Sequence, residues 1–262
     1  MKVLPRADRR KTVLIALLLV SIYAVLALST LRDTGVTWDE TFYMSQSKAR
    51  AYSLYSMATG KPDLPFCDLT ESFFGTEWQT RCWEGRARTH STFSGLVWAA
   101  TWYLNGQSLD VLSSIAAHRL ATVILTAFGL LVMFIFVSES LGRRAALFST
   151  LALMFMPRFF SHSKYLLFDE PSAIFWILTL FVFWKGLSNW KWGLLGGVVY
   201  GLALTTKAQT VFIPAVLALW LLISYRDRIP GLARQLIRKP AGFLTRRRMV
   251  VFYSFAFVTP CG

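Results

Sequence analysis

The 262-residue chain is poor in charge, poor in acid and nearly without cysteine. Asp, Glu, Lys and Arg together make 16% of it, where a soluble globular domain carries about 25%. Its 14 acidic residues face 28 basic ones, which leaves a formal charge of +14. Three cysteines and three histidines are too few for a disulfide scaffold or a histidine-rich metal site. What the chain has instead is apolar: 55% hydrophobic residues and 15% aromatics. That excess excludes disorder and collagen-like repeats, and it argues against a soluble fold.

A membrane helix needs about 20 mostly apolar residues. Thr12–Ser29, preceded by the basic head Lys2, Arg6, Arg9, Arg10 and Lys11, reads as a first, uncleaved span. Ser114–Val137, Ala145–Phe160, Pro171–Trp184, Trp190–Thr206 and Val211–Tyr225 follow as five more. The last two are split by Lys207 and Gln209, and Met249–Pro260 reads as the start of a seventh. Gly193, Gly196, Gly197 and Gly201 suit close helix packing.

Residues 91–107 fit either a span or an interfacial helix anchored by Trp98, Trp102 and Tyr103. Charge decides between them. If 91–107 lies in the interface, the segments 1–11, 138–144, 185–191 and 226–248 share one side. They hold 17 basic and 3 acidic residues, leaving 11 of each on the other side. The positive-inside rule then makes the N-terminus cytoplasmic and 30–113 an extracytoplasmic loop. The basic stretch Arg226–Arg248 is thereby a topology signal, and nucleic acid is not an expected partner. The expected architecture is all-α. It is a polytopic helical bundle of about six spans and a partial seventh, with juxtamembrane helices in the first outer loop.

Polar residues that lipid alone would not select recur on the outer side. They are Asp39 and Glu40 after the first span, His90, His118 and Arg119 opening the second span, and Arg158, His162 and Lys164 leaving the third. Asp169 and Glu170 enter the fourth, and Lys207 follows the fifth. Ionisable groups at the membrane edge are costly and commonly functional. Each also has a plainer reading. Thr37 with Glu40 spells a capping box, Asp39 suits a helix N-terminus, and Asp169 or Glu170 before Pro171 suits an N-cap. The basic residues can snorkel, and Lys207 can mark a turn. Cys67 and Cys82 share the outer loop, where a disulfide or two free thiols are equally open.

The order of these features resembles the GT-C glycosyltransferases that use polyprenyl-phosphate sugars. It is nearest the protein O-mannosyltransferase and aminoarabinose transferase branch. The residues that carry the resemblance are the acidic pair after one span, His90 before the interfacial helix, Ala117-His118-Arg119, and Gly142 to Ala146 at a cytoplasmic turn. Met156-Pro157-Arg158-Phe159-Phe160-Ser161-His162, then Asp169 and Pro171, and finally Thr206-Lys207 complete it. The chain departs from the pattern at Ser91, where the family has proline after the histidine. The resemblance implies a single membrane domain over 1–262, the N-terminal part of a longer transferase module.

It also implies a lipid-linked donor and an acceptor on protein, lipid or glycan, met at the outer membrane face of the cell membrane. Asp39 is then the acceptor-side base, with Glu40 and Asp169 supporting it. Arg119, Arg158, Lys164 and Lys207 hold the donor phosphate, and His90, His162 and Glu170 line the substrate site. No cofactor is required. A divalent cation between Asp39 and Asp169 is chemically possible. The alternative is a truncated or degenerate non-catalytic membrane protein, transporter-like or structural, whose charges only cap helices and set topology. The relative placement of Asp39 and Asp169 separates the two.

Overall fold

A computed structural model describes residues 6–60, 70–73, 76–79, 92–105 and 111–225. The chain is helical apart from one short hairpin: α1 Arg6–Ser29, α2 Trp38–Thr59, β1 Thr70–Phe73, β2 Thr76–Gln79, α3 Thr92–Leu104 and α4 Ser114–Leu141. Then come α5 Arg143–Met154, α6 Pro157–His162, α7 Asp169–Gly186, α8 Trp190–Thr206, a 3-10 turn Ala208–Phe212, and α9 Ile213–Tyr225. It divides into two compact units, Met1–Ile174 and Phe175–Gly262, whose boundary falls within α7. His90, Cys67, Cys82, Arg226–Arg248 and Met249–Pro260 lie outside the described residues.

In the first unit the two long apolar helices are α1 and α4. Arg10–Ser29 and Ser114–Leu141 are both long and apolar enough to cross a bilayer, with mean hydropathies of 2.6 and 2.7. Ala16, Leu19, Tyr23 and Ala27 recur at helical spacing and bury one stripe of α1, while Leu14, Leu18 and Val25 on the other side stay exposed. The buried stripe packs on Val123, Leu130 and Phe134 of α4 and on Met154 and Ala146 of α5. In water the exposed leucines would be a liability; in a bilayer they are the lipid face.

α4 opens on Ser113, whose hydroxyl accepts from the Ala116 amide, and closes on Gly142 with φ 95°. That left-handed backbone favours glycine. The Gly142 N–H donates to the carbonyls of Val137 and Ser138, so the chain turns straight into α5 at Arg143.

Several expected spans are interrupted. Ala145–Phe160 is not one helix: α5 ends at Met154, Phe155 is its C-cap, and α6 restarts with Pro157 in its first turn. Proline at this point needs no N–H partner, but it cannot continue the preceding helix. In the fourth span neither Asp169 nor Glu170 is an N-cap, because both already lie in the first turn of α7. The Ser172 N–H reaches back to the Phe168 carbonyl, and Pro171 again occupies a position where its missing donor costs nothing. The hairpin β1–β2, paired Thr70 to Gln79 and Phe73 to Thr76, is a local departure from an all-α chain within the first loop.

Within 91–107 the structure describes the 13-residue α3, Thr92–Leu104, about 20 Å long at 1.5 Å per residue. One expected anchor is misplaced, however. Trp98 is 0% exposed. Its indole N–H donates to Thr122 Oγ1 at 3.0 Å, and its ring stacks on Phe168 with centroids 5.1 Å apart. An amphipathic ring suits an interface or a core with one hydrogen-bond acceptor, and here α4 supplies the acceptor.

In the second unit, α7 turns into α8 through a close backbone approach. A Cβ on Gly186 would sit 3.1 Å from the Gly193 nitrogen, and Gly193, Gly196 and Gly197 are buried. Phe181 meets Trp192 and Phe183 meets Trp220 edge-on. Lys207 takes an extended conformation, φ −156° and ψ 132°, between α8 and the 3-10 turn. Its carbonyl accepts from the Thr210 N–H and hydroxyl. Lys207 therefore does mark a turn.

Trp98→Ala removes a filled core volume and its hydrogen bond, at a cost of about 3–5 kcal/mol. Thermal melting of the detergent-solubilised protein should show this loss for Trp98→Ala. A mere interface anchor would show little change.

Candidate active site

The site grows from the short connection between α1 and α2. Thr37 and Glu40 form one half of a capping box at the start of α2: the Thr37 N–H donates to Glu40 Oε2 at 2.9 Å, while the Thr37 hydroxyl makes no return bond. Glu40 does more than cap. Arg119 on α4 donates from Nε to Oε1 at 2.8 Å and from Nη2 to Oε2 at 2.7 Å. The two side chains are 1% and 0% exposed. Oε1 also accepts the Leu166 N–H at 3.2 Å. One carboxylate thus ties the start of α2, the second turn of α4 and the segment leading into α7.

Arg119 is used up in the same way. Nη1 donates to the Leu31 and Thr34 carbonyls and to Thr34 Oγ1, and Nη2 also reaches the Gly35 carbonyl. Every guanidinium N–H faces a protein acceptor, and the group lies over the Tyr165 ring at 5.0 Å. The expected phosphate ligand is instead a clamp on residues 31–40, with no donor left for a substrate. Glu40 likewise has its lone pairs occupied.

Clamping Glu40 turns its neighbour outward. Asp39 is exposed in the first turn of α2, where the helix N-terminus favours its negative charge. Asp169 is exposed in the first turn of α7. Three residues before it, the Leu166 amide is held by Glu40. The two aspartates share a neighbour, Tyr43, one turn beyond Asp39. The Tyr43 phenol is pushed above its ordinary pKa, first by burial and then by the charges of Asp39 and Asp169. Its ring is wedged against Phe168 at 4.3 Å and Trp98 at 5.9 Å, so that α2, α3 and the approach to α7 meet at one aromatic cluster. The sequence reading missed Tyr43; its i,i+4 spacing from Asp39 was the available signal.

Two basic residues come from α6 and the turn that follows it. Arg158 is exposed in α6. Lys164 is buried, with Nζ donating to Thr30 Oγ1 at 2.8 Å and lying 4.7 Å from the Phe160 ring centroid. Burial pulls its pKa down; Asp33 opposes that and Arg119 adds to it. Glu170, just ahead of the fourth expected span, is 4% exposed. Burial pushes its carboxyl up to about 7, the adjacent Asp169 adds to the shift, and Arg158 works against it. His162 is half-buried in the last turn of α6. His118 is held elsewhere: Nδ1 is 2.7 Å from the Ser114 carbonyl oxygen, and the ring stacks on Trp102. Lys207 belongs to the second unit. Among the described residues no three His, Cys, Asp or Glu side chains gather as a metal site.

Two outcomes follow for stability. Arg119→Ala leaves a buried carboxylate unpaired and should cost about 3–5 kcal/mol. Arg119→Lys should rescue little of that, because an ammonium cannot reproduce the two-pronged contact. Both are read from thermal melts.

The Glu170 carboxyl is raised in the folded state, so its contribution to stability is complete below the unfolded value near 4.5. That contribution is lost as pH rises through about 7. Glu170→Gln, which cannot ionise, should therefore melt higher than the parent at pH 8 and close to it at pH 4.5.

A protein-family model described as dolichyl-phosphate-mannose-protein mannosyltransferase matches residues 96–255. That is more than half of the chain, and it takes in Arg119, Arg158, Lys164, Asp169, Glu170 and Lys207; Asp39 and Glu40 precede it. No curated protein and no solved structure matches the chain. The chain belongs to the dolichyl-phosphate-mannose-protein mannosyltransferase family, membrane glycosyltransferases of the GT-C type that draw their sugar from a polyprenyl-phosphate donor.

Proposed function

We propose that the chain moves a sugar from a polyprenyl-phosphate donor to an acceptor hydroxyl at the outer face of the membrane, by a single inverting displacement. The observation that carries this is the company of Asp39. An exposed carboxylate at a helix start stands one turn before Tyr43, whose ring packs on Phe168, the residue ahead of Asp169, and its neighbour Glu40 is held by Arg119. Charges that merely capped their own helices would not need to share a neighbour.

A hydroxyl is a weak nucleophile and needs a base within hydrogen-bond reach as it attacks. Asp39 is the base: it takes the acceptor proton while the acceptor oxygen bonds to the anomeric carbon. The bond from that carbon to the phosphate oxygen breaks on the opposite face, which inverts the centre. Asp169 orients the reacting groups from the start of α7. The departing phosphate gathers negative charge, and preorganised cations are the stabilising element such a step requires. Arg158 offers a fork that matches phosphate oxygens, and Lys164 adds a point charge. Arg119 and Glu40 act one step back, holding the 31–40 connection in shape.

The donor's hydrocarbon tail stays in the bilayer, so its phosphate sits at the height of the helix ends. The charge asymmetry of the loops puts the N-terminus in the cytoplasm and this end of the helices outside. The acceptor is a hydroxyl on protein, lipid or glycan.

Asp39→Asn should lower transfer from a polyprenyl-phosphate sugar by about 100-fold or more while leaving the melting temperature unchanged. Unaltered transfer would remove the carboxylate from the mechanism. Arg158→Gln should raise the KM for the donor about tenfold, the order of one lost charged hydrogen bond, and leave the acceptor KM in place.

A further inference from the structure

Lys164 is a buried cation without a close counter-ion. The residue is 5% exposed, and among the described residues no carboxylate lies within 4.0 Å of its nitrogen. Asp33, itself exposed, acts on it from farther away. What the ammonium has is one hydrogen bond and one ring: Nζ donates to Thr30 Oγ1 at 2.8 Å and lies 4.7 Å from the Phe160 ring centroid. An ammonium carries three N–H donors, so donors remain beyond the one that Thr30 receives. Burying a charge is costly unless a group of opposite sign meets it. A buried ammonium with donors to spare is the chemistry that recognises an anion.

Thr30 is placed to hold that ammonium. Its hydroxyl donates to the Leu26 carbonyl at 2.9 Å. A hydroxyl has a single proton, so toward Lys164 it accepts. The C-terminal end of α1 is the negative end of its helix dipole, and the path from Leu26 through Thr30 brings it to the ammonium. Both ends of the contact hang on the Glu40–Arg119 clamp. The Leu31 carbonyl, next after Thr30, accepts from Arg119 Nη1 at 3.0 Å. The Leu166 amide, two residues after Lys164, donates to Glu40 Oε1 at 3.2 Å. Phe160 in turn meets Tyr23 of α1 edge-on. The ammonium is thereby fixed before a ligand arrives, and a preorganised group loses less freedom on binding.

We propose that Thr30 is a positioning residue for the donor phosphate: its hydroxyl aims the Lys164 ammonium, whose remaining N–H groups meet a phosphate oxygen. This deepens the proposed function and rests on Lys164 holding the phosphate. Thr30 acts through Lys164 and takes no part in the bond exchange. Without the hydroxyl the flexible stem of Lys164 keeps its charge but loses its direction.

The test uses farnesyl phosphate as the probe and farnesol, which lacks the phosphate, as its control. Each is measured by equilibrium binding to the full chain in nanodiscs. Lys164→Met should weaken farnesyl phosphate about tenfold, and Thr30→Val about fivefold, the order of a charged hydrogen bond lost or misdirected. Thr30→Ser, which keeps the hydroxyl, should bind like the parent, and farnesol should bind all of them alike. Combining Thr30→Val with Lys164→Met should weaken binding no further than Lys164→Met alone, since the two residues act as one unit. Additive losses, an unaltered Thr30→Val, or an equal loss for farnesol overturn the proposal. A purely structural role would weaken both probes together and would not vanish in the Lys164→Met background.

Thr30→Ala removes the same acceptor with less bulk and is read in the same way should Thr30→Val fail to assemble. If Lys164→Met binds farnesyl phosphate like the parent, the phosphate role of Lys164 fails and that of Thr30 fails with it. If Lys164→Met responds and Thr30→Val does not, the role of Thr30 alone is overturned.

Discussion

A buried pair between Glu40 and Arg119 organises everything around it. Ion pairs removed from water are poor stabilisers in general, since desolvation consumes most of what attraction returns. This one is made tolerable by saturation: both terminal guanidinium nitrogens and both carboxylate oxygens have further protein partners. Its value is geometric. Through it the α1–α2 connection, α4 and the approach to α7 are held in register, and Asp39, next to Glu40, and Asp169, three positions past Leu166, are left where solvent can reach them. The same residue type therefore serves opposite ends at adjacent positions. The carboxylate at 40 is inert because it is fully bonded, and the one at 39 is available because it is not buried.

Helix interruptions serve that arrangement. Between Arg144 and Arg158 the segment is mostly apolar, and an unbroken helix would carry both ends along one axis. By stopping at Met154 and restarting at Pro157, the chain presents Arg158 from a short separate helix. In hydrocarbon such a break would strand backbone donors, so it is tolerable only where protein or water meets them. A comparable break at Lys207 opens the backbone between α8 and the 3-10 turn in the second unit. Both breaks carry a basic residue.

Much of this was legible in the sequence. The runs behind α1 and α4 are long and uninterrupted, and the Thr37–Glu40 spacing announced the start of α2. The loop charges argued for an interfacial helix within 91–107, where α3 lies. The rest was hidden for physical reasons. Arg119 looks the same on paper whether its fork meets a phosphate or four carbonyl and carboxylate partners from residues 31–40, because the partner is chosen in space. Trp98 satisfies both an interface and a core, and only the acceptor on Thr122 decides. The Ala145–Phe160 run is mostly apolar, with Arg158 its one charged residue, so hydropathy passes over the break that Pro157 enforces. A residue before proline tends to leave the helical region, yet the first turn of α7 accommodates both Glu170 and Pro171.

The Glu40–Arg119 contact also closes a stretch of 79 residues, and this bears on how the protein is made. A ribosome delivers α1 and α2 well before α4, so Glu40 emerges with its partner not yet synthesised. During that interval the capping contact to Thr37 is the local tie available to the carboxylate, and the chain between Leu31 and Gly35 has no guanidinium to gather its carbonyls. The shape of the 31–40 connection is therefore a late product of biogenesis, acquired when the helix bearing Arg119 docks against its predecessor.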